Sequence, residues 1–454
     1  MPGETAFDID ELRRSLGLVV VTDPEVIEGY RRDQSQLTPA GVPLAVVRAR
    51  SISDVQQTMR WAYERRVPVV TRGAGSGLAG GANAIDGGIV LSLAGLNRIV
   101  HIDPSARLAT VEAGVINGDL VRAAGEFGLW YPPDPGSREF STIGGNVATN
   151  AGGSCCVKYG VTADHVARIK AILPDGRMIH TGARTRKNVA GLNLGQLLVG
   201  SEGTLAVVVE VTVRLRQAPS EVATVVASFE TVHQAVESVL AMSTVAEPCV
   251  LELMDRTTVT AVESMTRMGL DTDAAALLLV QCDGADSVAQ AERCAAMCRR
   301  TALDVWSTVD AGEGEAMMVA RRSAFTALEQ LGGVLLDDVA VPVHQLPGML
   351  RSIEVIAERH RVRIGTFGHA GDGNMHPTVI FDPTDPDEVV RARAAFDEII
   401  DRAIALGGTI TGEHGVGVLK RAHLTQMIGG TELDLAERIR GVFDPRGILN
   451  PGRG

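Results

Sequence analysis

Thr71-Arg72-Gly73-Ala74-Gly75-Ser76-Gly77-Leu78-Ala79-Gly80-Gly81 follows an apolar run, Val67 to Thr71, that reads as a strand. Gly75, Gly77 and Gly80 satisfy the spacing GxGxxG. In a doubly wound dinucleotide fold that spacing opens a helix whose N-terminus faces a pyrophosphate. Here Gly80-Gly81 and Asp86-Gly87-Gly88 follow, and a helix does not survive that density of glycine. The acidic residue such a fold places about twenty positions on is also missing. The chain reads Gly95-Leu96-Asn97-Arg98 there. Two readings stay open for this loop: a plain turn, or a nest of backbone N–H groups that holds a phosphate without a helix.

Two further small-residue stretches shift the balance towards a ligand. Ser141-Thr142-Ile143-Gly144-Gly145-Asn146-Val147-Ala148-Thr149-Asn150-Ala151-Gly152-Gly153 lies beyond Pro132-Pro133-Asp134-Pro135-Gly136. Gly200-Ser201-Glu202-Gly203-Thr204 opens a Val-rich segment running to Arg216. Glycine has no Cβ, so backbone can approach a ligand closely. Three such stretches in one domain fit a long ligand laid against bare backbone, and a dinucleotide suits. Around them lie short strands, a helix from Ser53 to Arg65 with Ser53 or Asp54 near its N-cap, and a hairpin over Pro174-Asp175-Gly176. That mixture predicts α+β rather than a doubly wound parallel sheet.

The 454 residues exceed one comfortable core, and Gln217-Ala218-Pro219 breaks the chain. Residues 1–219 are expected to form one domain and 220–405 a second of strands and amphipathic helices, with 406–454 as a C-terminal segment. With 45% hydrophobic and 22% charged residues the chain is globular rather than disordered. A net charge of −12 without a basic run argues against nucleic acid as a partner. No apolar run approaches the ~18 residues that span a bilayer. Met1 to Ser15 lacks the apolar stretch of an export signal. The six cysteines form no CxxC pair and read as reduced thiols. The expected compartment is therefore the cytoplasm.

His369-Ala370-Gly371-Asp372-Gly373-Asn374-Met375-His376 sets two imidazoles seven apart across a Gly-rich turn. Thr411-Gly412-Glu413-His414-Gly415-Val416-Gly417 adds a carboxylate and a third imidazole. Two histidines and a glutamate form a common catalytic metal set that leaves positions for water or substrate. Zn²⁺, Mn²⁺ and Fe²⁺ all suit it. A lone histidine here would more often be structural, but the pair with Glu413 weighs towards a metal. Asp372 is a rival ligand, although an Asp at such a place also shapes a turn.

Several pieces carry a resemblance: Pro68 to Leu78, Tyr131 to Pro135, Thr142 to Asn146, Lys158 to Thr162, Lys187 to Gly191 and Gly200 to Leu205. Together they resemble the FAD-binding domain of the vanillyl-alcohol-oxidase (PCMH) type. More narrowly, they are similar to the branch holding the glycolate oxidase D subunit, D-lactate dehydrogenase and D-2-hydroxyglutarate dehydrogenase. The likeness runs from about residue 40 to the C-terminus.

The resemblance implies an α+β fold: a two-part FAD-binding domain of that type, plus an α+β substrate or cap domain with an antiparallel sheet. Residues 1–219 would bind FAD, 220–405 would form the cap with the metal-ligand histidines, and 406–454 would return to the FAD domain and active site. Arg72, Gly73, Ala74, Gly75, Ser76, Gly77 and Leu78 would wrap the FAD pyrophosphate. Pro133, Thr142, Gly145, Asn146, Gly152 and Gly153 would line the adenine, ribitol and flavin path. Glu202 and Gly203 would sit near the adenosine end, and Asn450 would reach the isoalloxazine. Residues 72–81 hold neither His nor Cys, so the FAD is expected to be non-covalent. The branch's HxGDGNxH and GEHG motifs are matched residue by residue. They imply His369, His376 and Glu413 as metal ligands, His414 as base and Asn374 as a substrate contact. Arg321 is the matching cation for a substrate carboxylate.

The implied chemistry is coherent. Oxidising a 2-hydroxy acid removes a hydroxyl proton and a Cα hydride. A metal gripping hydroxyl and carboxylate lowers the hydroxyl pKa and fixes the geometry. A neutral His takes the proton near neutral pH, and FAD takes the hydride. The planar fork of Arg suits the outer carboxylate oxygen. Leu336 stands where hydroxyglutarate-type relatives carry Lys, and Phe325 replaces a hydroxyl residue. D-lactate or glycolate is therefore favoured over D-2-hydroxyglutarate. The other expected partner is an electron acceptor: a quinone, an electron-transfer flavoprotein, a partner subunit or oxygen. Through it the protein could lie against a membrane, and a homodimer is compatible. Two rival readings are a non-redox flavin transferase like alkylglycerone-phosphate synthase and a non-catalytic subunit of a multi-subunit glycolate oxidase.

Overall fold

A computed structural model describes residues 9–454, so residues 1–8 of the expected lead-in lie outside the described residues. The chain divides into two compact units. One comprises Met1–Ala151, Val161–Gln217 and His414–Gly454; the other comprises Gly152–Gly160 and Ala218–Glu413.

The first unit contains two main sheets. Strands β1 (Val20–Val21), β2 (Ala45–Arg48), β3 (Val69–Arg72) and β4 (Ile89–Ser92) form a sheet in the order β1-β2-β4-β3. β2 and β3 both run parallel to β4. Such strands are covered on both faces, which is why they read as unbroken apolar runs. β5 (Ile99–Asp103), β6 (Leu108–Glu112), β8 (Val166–Ile172), β9 (Met178–Gly182) and β10 (Val207–Arg214) form an antiparallel sheet in the order β5-β6-β10-β8-β9. A short ribbon pairs β7 (Leu129–Trp130) with β11 (Arg216–Gln217). The expected hairpin over Pro174 to Gly176 joins β8 and β9.

Two local readings need correction. The helix Ile52–Arg65 is capped by Ser51, not Ser53 or Asp54; Asp54 is the return half of a capping box. The second glycine-rich stretch is not all loop. Ile143–Thr149 is helical, with the Thr142 hydroxyl accepting the Gly145 N–H at 3.2 Å. Close packing explains glycine at 144, where a Cβ would lie 2.6 Å from the Ala113 Cβ.

The second unit is built on one antiparallel sheet. Its main order is β15-β12-β14-β13-β18-β19-β16. These strands are β12 (Val222–Phe229), β13 (Val250–Asp255), β14 (Ala276–Asp283), β15 (Asp304–Thr308), β16 (Gly333–Leu336), β18 (Arg363–His369) and β19 (Asn374–Phe381). A short β17 (Val339–Ala340) also pairs with β19. Register positions the chemistry. His369 faces Asn374 and Phe367 faces His376 across β18–β19, while Glu252 on β13 faces His369. Paired residues share a sheet face, and so do residues two apart. Glu252, His369, Asn374 and His376 therefore project from one face.

Candidate functional site

In the first unit the small-residue stretches converge. A Cβ on Gly73 would lie 2.4 Å from Thr142 Oγ1, and one on Gly203 would lie 2.5 Å from Thr71 Oγ1. The Gly200 and Glu202 N–H groups donate to the carbonyls of Val147 and Ala148, at 2.9 and 2.8 Å. The tail joins them. Asn450 Oδ1 accepts the Thr71 N–H at 3.0 Å, and its Nδ2 donates to the Glu202 carbonyl at 2.6 Å. The buried Glu202 carboxylate accepts the Val416 and Gly417 N–H groups at 2.6 and 2.7 Å. Pro133 and Asn146 are tied together by Asn117, whose Nδ2 donates to the Pro133 carbonyl at 3.1 Å and to Asn146 Oδ1 at 3.2 Å. Asn450 and Glu202 thus spend their side chains on the loops, and Thr142 caps a helix.

These residues fit a phosphate-bearing ligand. Arg72 is 8% exposed, and its Nη1 has no hydrogen-bond partner among the described residues. Burial pushes its pKa down, with Asp33 and Tyr30 opposing. Beside it lies the glycine loop Gly73, Ala74, Gly75, Ser76, Gly77 and Leu78, with no helix following. A buried guanidinium with unspent donors at a glycine loop complements an anion.

The second unit brings the metal-ligand candidates together. His369 Nε2 lies 3.0 Å from Glu413 Oε1, and His376 Nε2 lies 3.4 Å from the same oxygen. The two rings stand edge to face, with centroids 5.1 Å apart. Metal bonds of about 2.0–2.1 Å set neighbouring ligand atoms roughly 2.8–3.0 Å apart in an octahedral array and about 3.3–3.4 Å apart in a tetrahedral one. The donor set fits a divalent ion. Asp372 is not in this trio.

Two carboxylates stand behind the imidazoles, and sequence reasoning missed both. Glu252 Oε1 is 2.6 Å from His369 Nδ1, and its Oε2 is 2.6 Å from Arg321 Nη2. Asp338 Oδ1 is 3.6 Å from His376 Nδ1. Its Oδ2 accepts from Thr411 Oγ1, Gly412 N and Glu413 N at 2.7, 2.9 and 2.9 Å. Asp338 thereby fixes the turn that presents Glu413. A signal existed for Glu252: a lone carboxylate in the apolar run Cys249-Val250-Leu251-Glu252-Leu253-Met254 is costly unless paired. Burial works against its charge, but Arg321 and His369 win and hold its pKa at about 2. Burial opposes protonation of His369 too, yet Glu252 and Glu413 hold its pKa well above the usual imidazole value. Glu413 is held well below the carboxylate range by the two histidines, against its own burial.

The remaining expected residues fall as follows. Arg321 is buried against Glu252, with its guanidinium 4.8 Å above the Phe367 ring. Asn374 Nδ2 donates to Asp338 Oδ1 at 2.8 Å and to the Val339 carbonyl at 3.1 Å. Gly152 and Gly153, expected along the flavin path, belong to the second unit. A Cβ on Gly152 would lie 2.7 Å from Glu413 Oε2. His414 follows Glu413 in the chain and begins the last stretch of the first unit. Among the described residues no helix is long and apolar enough to cross a membrane.

Residues 43–182 match the family described as "FAD binding domain", and residues 218–453 match "FAD linked oxidases, C-terminal domain". The glycolate oxidase subunit GlcD of Bacillus subtilis is 41% identical, over 91% of this chain and 89% of that protein. A D-lactate dehydrogenase of Anaerostipes hadrus is 33% identical, over 96% and 94%. Among solved structures, p-cresol methylhydroxylase with bound substrate superposes with a TM-score of 0.83 at 18% identity, covering 98% of this chain and 95% of that one. Alkyldihydroxyacetonephosphate synthase superposes with a TM-score of 0.76 at 17% identity, covering 98% and 85%. At such identities these structures speak to fold alone, and the fold is the expected α+β arrangement.

Proposed function

We propose, from the premise that this chain belongs to the FAD-linked oxidase family, that it oxidises a small D-2-hydroxy acid to the 2-keto acid with a divalent metal's help. D-lactate and glycolate are the favoured substrates. The observation that carries the metal part is the convergence of His369 Nε2 and His376 Nε2 on Glu413 Oε1, at 3.0 and 3.4 Å. The relatives named for glycolate and D-lactate support the substrate class.

The first unit would hold FAD non-covalently, with Arg72 and the following glycine loop on the pyrophosphate. Gly145, Asn146, Glu202, Gly203 and Asn450 would shape the cradle. FAD, when bound, supplies the hydride acceptor. His369, His376 and Glu413 would hold Zn²⁺, Mn²⁺ or Fe²⁺, which, when bound, acidifies a coordinated hydroxyl. His414 would take the hydroxyl proton as base. Asn374, held by Asp338 and the Val339 carbonyl, would contact the substrate. Arg321 has more donors than Glu252 consumes, and its buried Nε–H has no partner among the described residues. That donor suits the outer carboxylate oxygen of a substrate. The expected electron acceptor would be a quinone, an electron-transfer flavoprotein or a partner subunit.

Purified FAD-loaded protein is expected to reduce a dye with D-lactate or glycolate. His376→Ala is expected to abolish turnover while FAD stays bound. Full turnover by that variant would refute the metal role.

A further inference from the structure

Glu252 is buried, paired with the Arg321 guanidinium and absent from the proposed ligand set. We propose that Glu252, anchored by Arg321, is a positioning residue that sets the ring of His369 and decides which of its nitrogens carries hydrogen. This rests on the metal reading above.

Geometry carries it. Glu252 sits opposite His369 in the β13–β18 register, and its side chain is 1% exposed. One oxygen meets His369 Nδ1 and the other meets Arg321, each at 2.6 Å. Arg321 lies over Phe367, two residues before His369 on β18, so both ends of the carboxylate are fixed. A carboxylate paired with a guanidinium only accepts hydrogen bonds, so Nδ1 is the nitrogen that carries hydrogen towards it. Nε2 is then the nitrogen left to a metal, facing the space shared with Glu413 Oε1 and His376 Nε2. A metal-bound histidine gains ring orientation and basicity from such a partner. Asp338 does not duplicate this. It lies 3.6 Å from His376, and its oxygens already serve Asn374 and the 411–413 turn. Glu252 sets a ring; Asp338 sets a turn.

Glu252→Gln tests it in the FAD-loaded protein. Glutamine keeps the volume but has one acceptor oxygen, which Arg321 claims. The amide NH₂ then faces His369 Nδ1, and the ring shifts to the tautomer with hydrogen on Nε2. Zinc affinity, read by competition with a chromophoric chelator, is expected to fall about 10- to 100-fold while flavin absorption persists. Nitrogen NMR of histidine-labelled, zinc-loaded wild type, assigned with His369→Asn, is expected to show hydrogen on His369 Nδ1 and metal on Nε2. Wild-type zinc affinity in Glu252→Gln would overturn the proposal and leave the metal set standing. A wild type that binds no zinc would overturn both. Should the variant fail to fold, the wild-type spectrum decides alone, and hydrogen on His369 Nε2 overturns the proposal.

Discussion

Gly152→Ala is expected to disarm the metal site without touching a ligand. The backbone at Gly152 lies outside the left-handed region, so alanine brings no conformational strain. The added Cβ would lie 2.7 Å from Glu413 Oε2 and 3.1 Å from Cys156 Sγ, whereas ordinary contact begins near 3.4 Å. Relief by the carboxylate alone moves it about 0.7 Å, against the roughly 0.2 Å that metal–ligand bonds tolerate. The Cys156 side prevents the methyl from backing away. Zinc affinity should fall on the order of 10- to 100-fold, about 1.4–2.7 kcal/mol. The assay is chelator competition on FAD-loaded protein, with the visible flavin spectrum as the folding control. Gly348→Ala, in the helix Leu346–His360 with nothing within 4 Å of its Cβ, is the matched comparison. It should bind zinc normally and gain about 0.5–1 kcal/mol of stability. If Gly152→Ala binds zinc as tightly as Gly348→Ala, the placement of Glu413 against residue 152 is refuted.

Three further outcomes are expected. Arg72→Met should weaken FAD retention by about 10- to 100-fold, the loss of a charge-assisted hydrogen bond, as measured by flavin release on dilution. Asp338→Asn leaves one acceptor oxygen where the wild type uses Oδ2 for the 411–413 turn and Oδ1 for Asn374, and should lower zinc affinity by at least tenfold, about 1.4 kcal/mol or more. Asp255 caps the helix Arg256–Thr266, and burial pushes its pKa up to about 6, against hydrogen bonds from Thr258 and Thr366. The folded protein thus holds this proton more firmly than the unfolded chain. The associated stability is present below about pH 4 and is lost as pH rises through 6. The loss is on the order of 2–3 kcal/mol, and urea unfolding across that window should show it in wild type but not in Asp255→Asn.

The glycine loop after β3 was legible because glycine density excludes a helix whatever the tertiary context. The histidine pair was legible because seven residues across a tight turn hold both on one hairpin face. The helical turn over Ile143–Thr149 was not, since two glycines argue against it locally and the packing on Ala113 that calls for glycine at 144 leaves no mark in the spacing. Glu252 lies 117 residues before His369, and no local pattern reveals the strand register that pairs them. Its only mark was a charge in an apolar run. The stretch 152–160 reads as more of the first unit, but Lys158 and Tyr159 bond Asp283 on β14, at 2.5 and 2.6 Å, and it joins the second. Such pairings arise from sheet assembly rather than from spacing.

The most direct measurement is anaerobic mixing of FAD-loaded protein with D-lactate or glycolate, metal-stripped and then resupplied with Zn²⁺ or Mn²⁺. The flavin colour should bleach with metal present, stay when it is stripped, and bleach again on resupply. Equal bleaching without metal, or none with any D-2-hydroxy acid, would contradict the account.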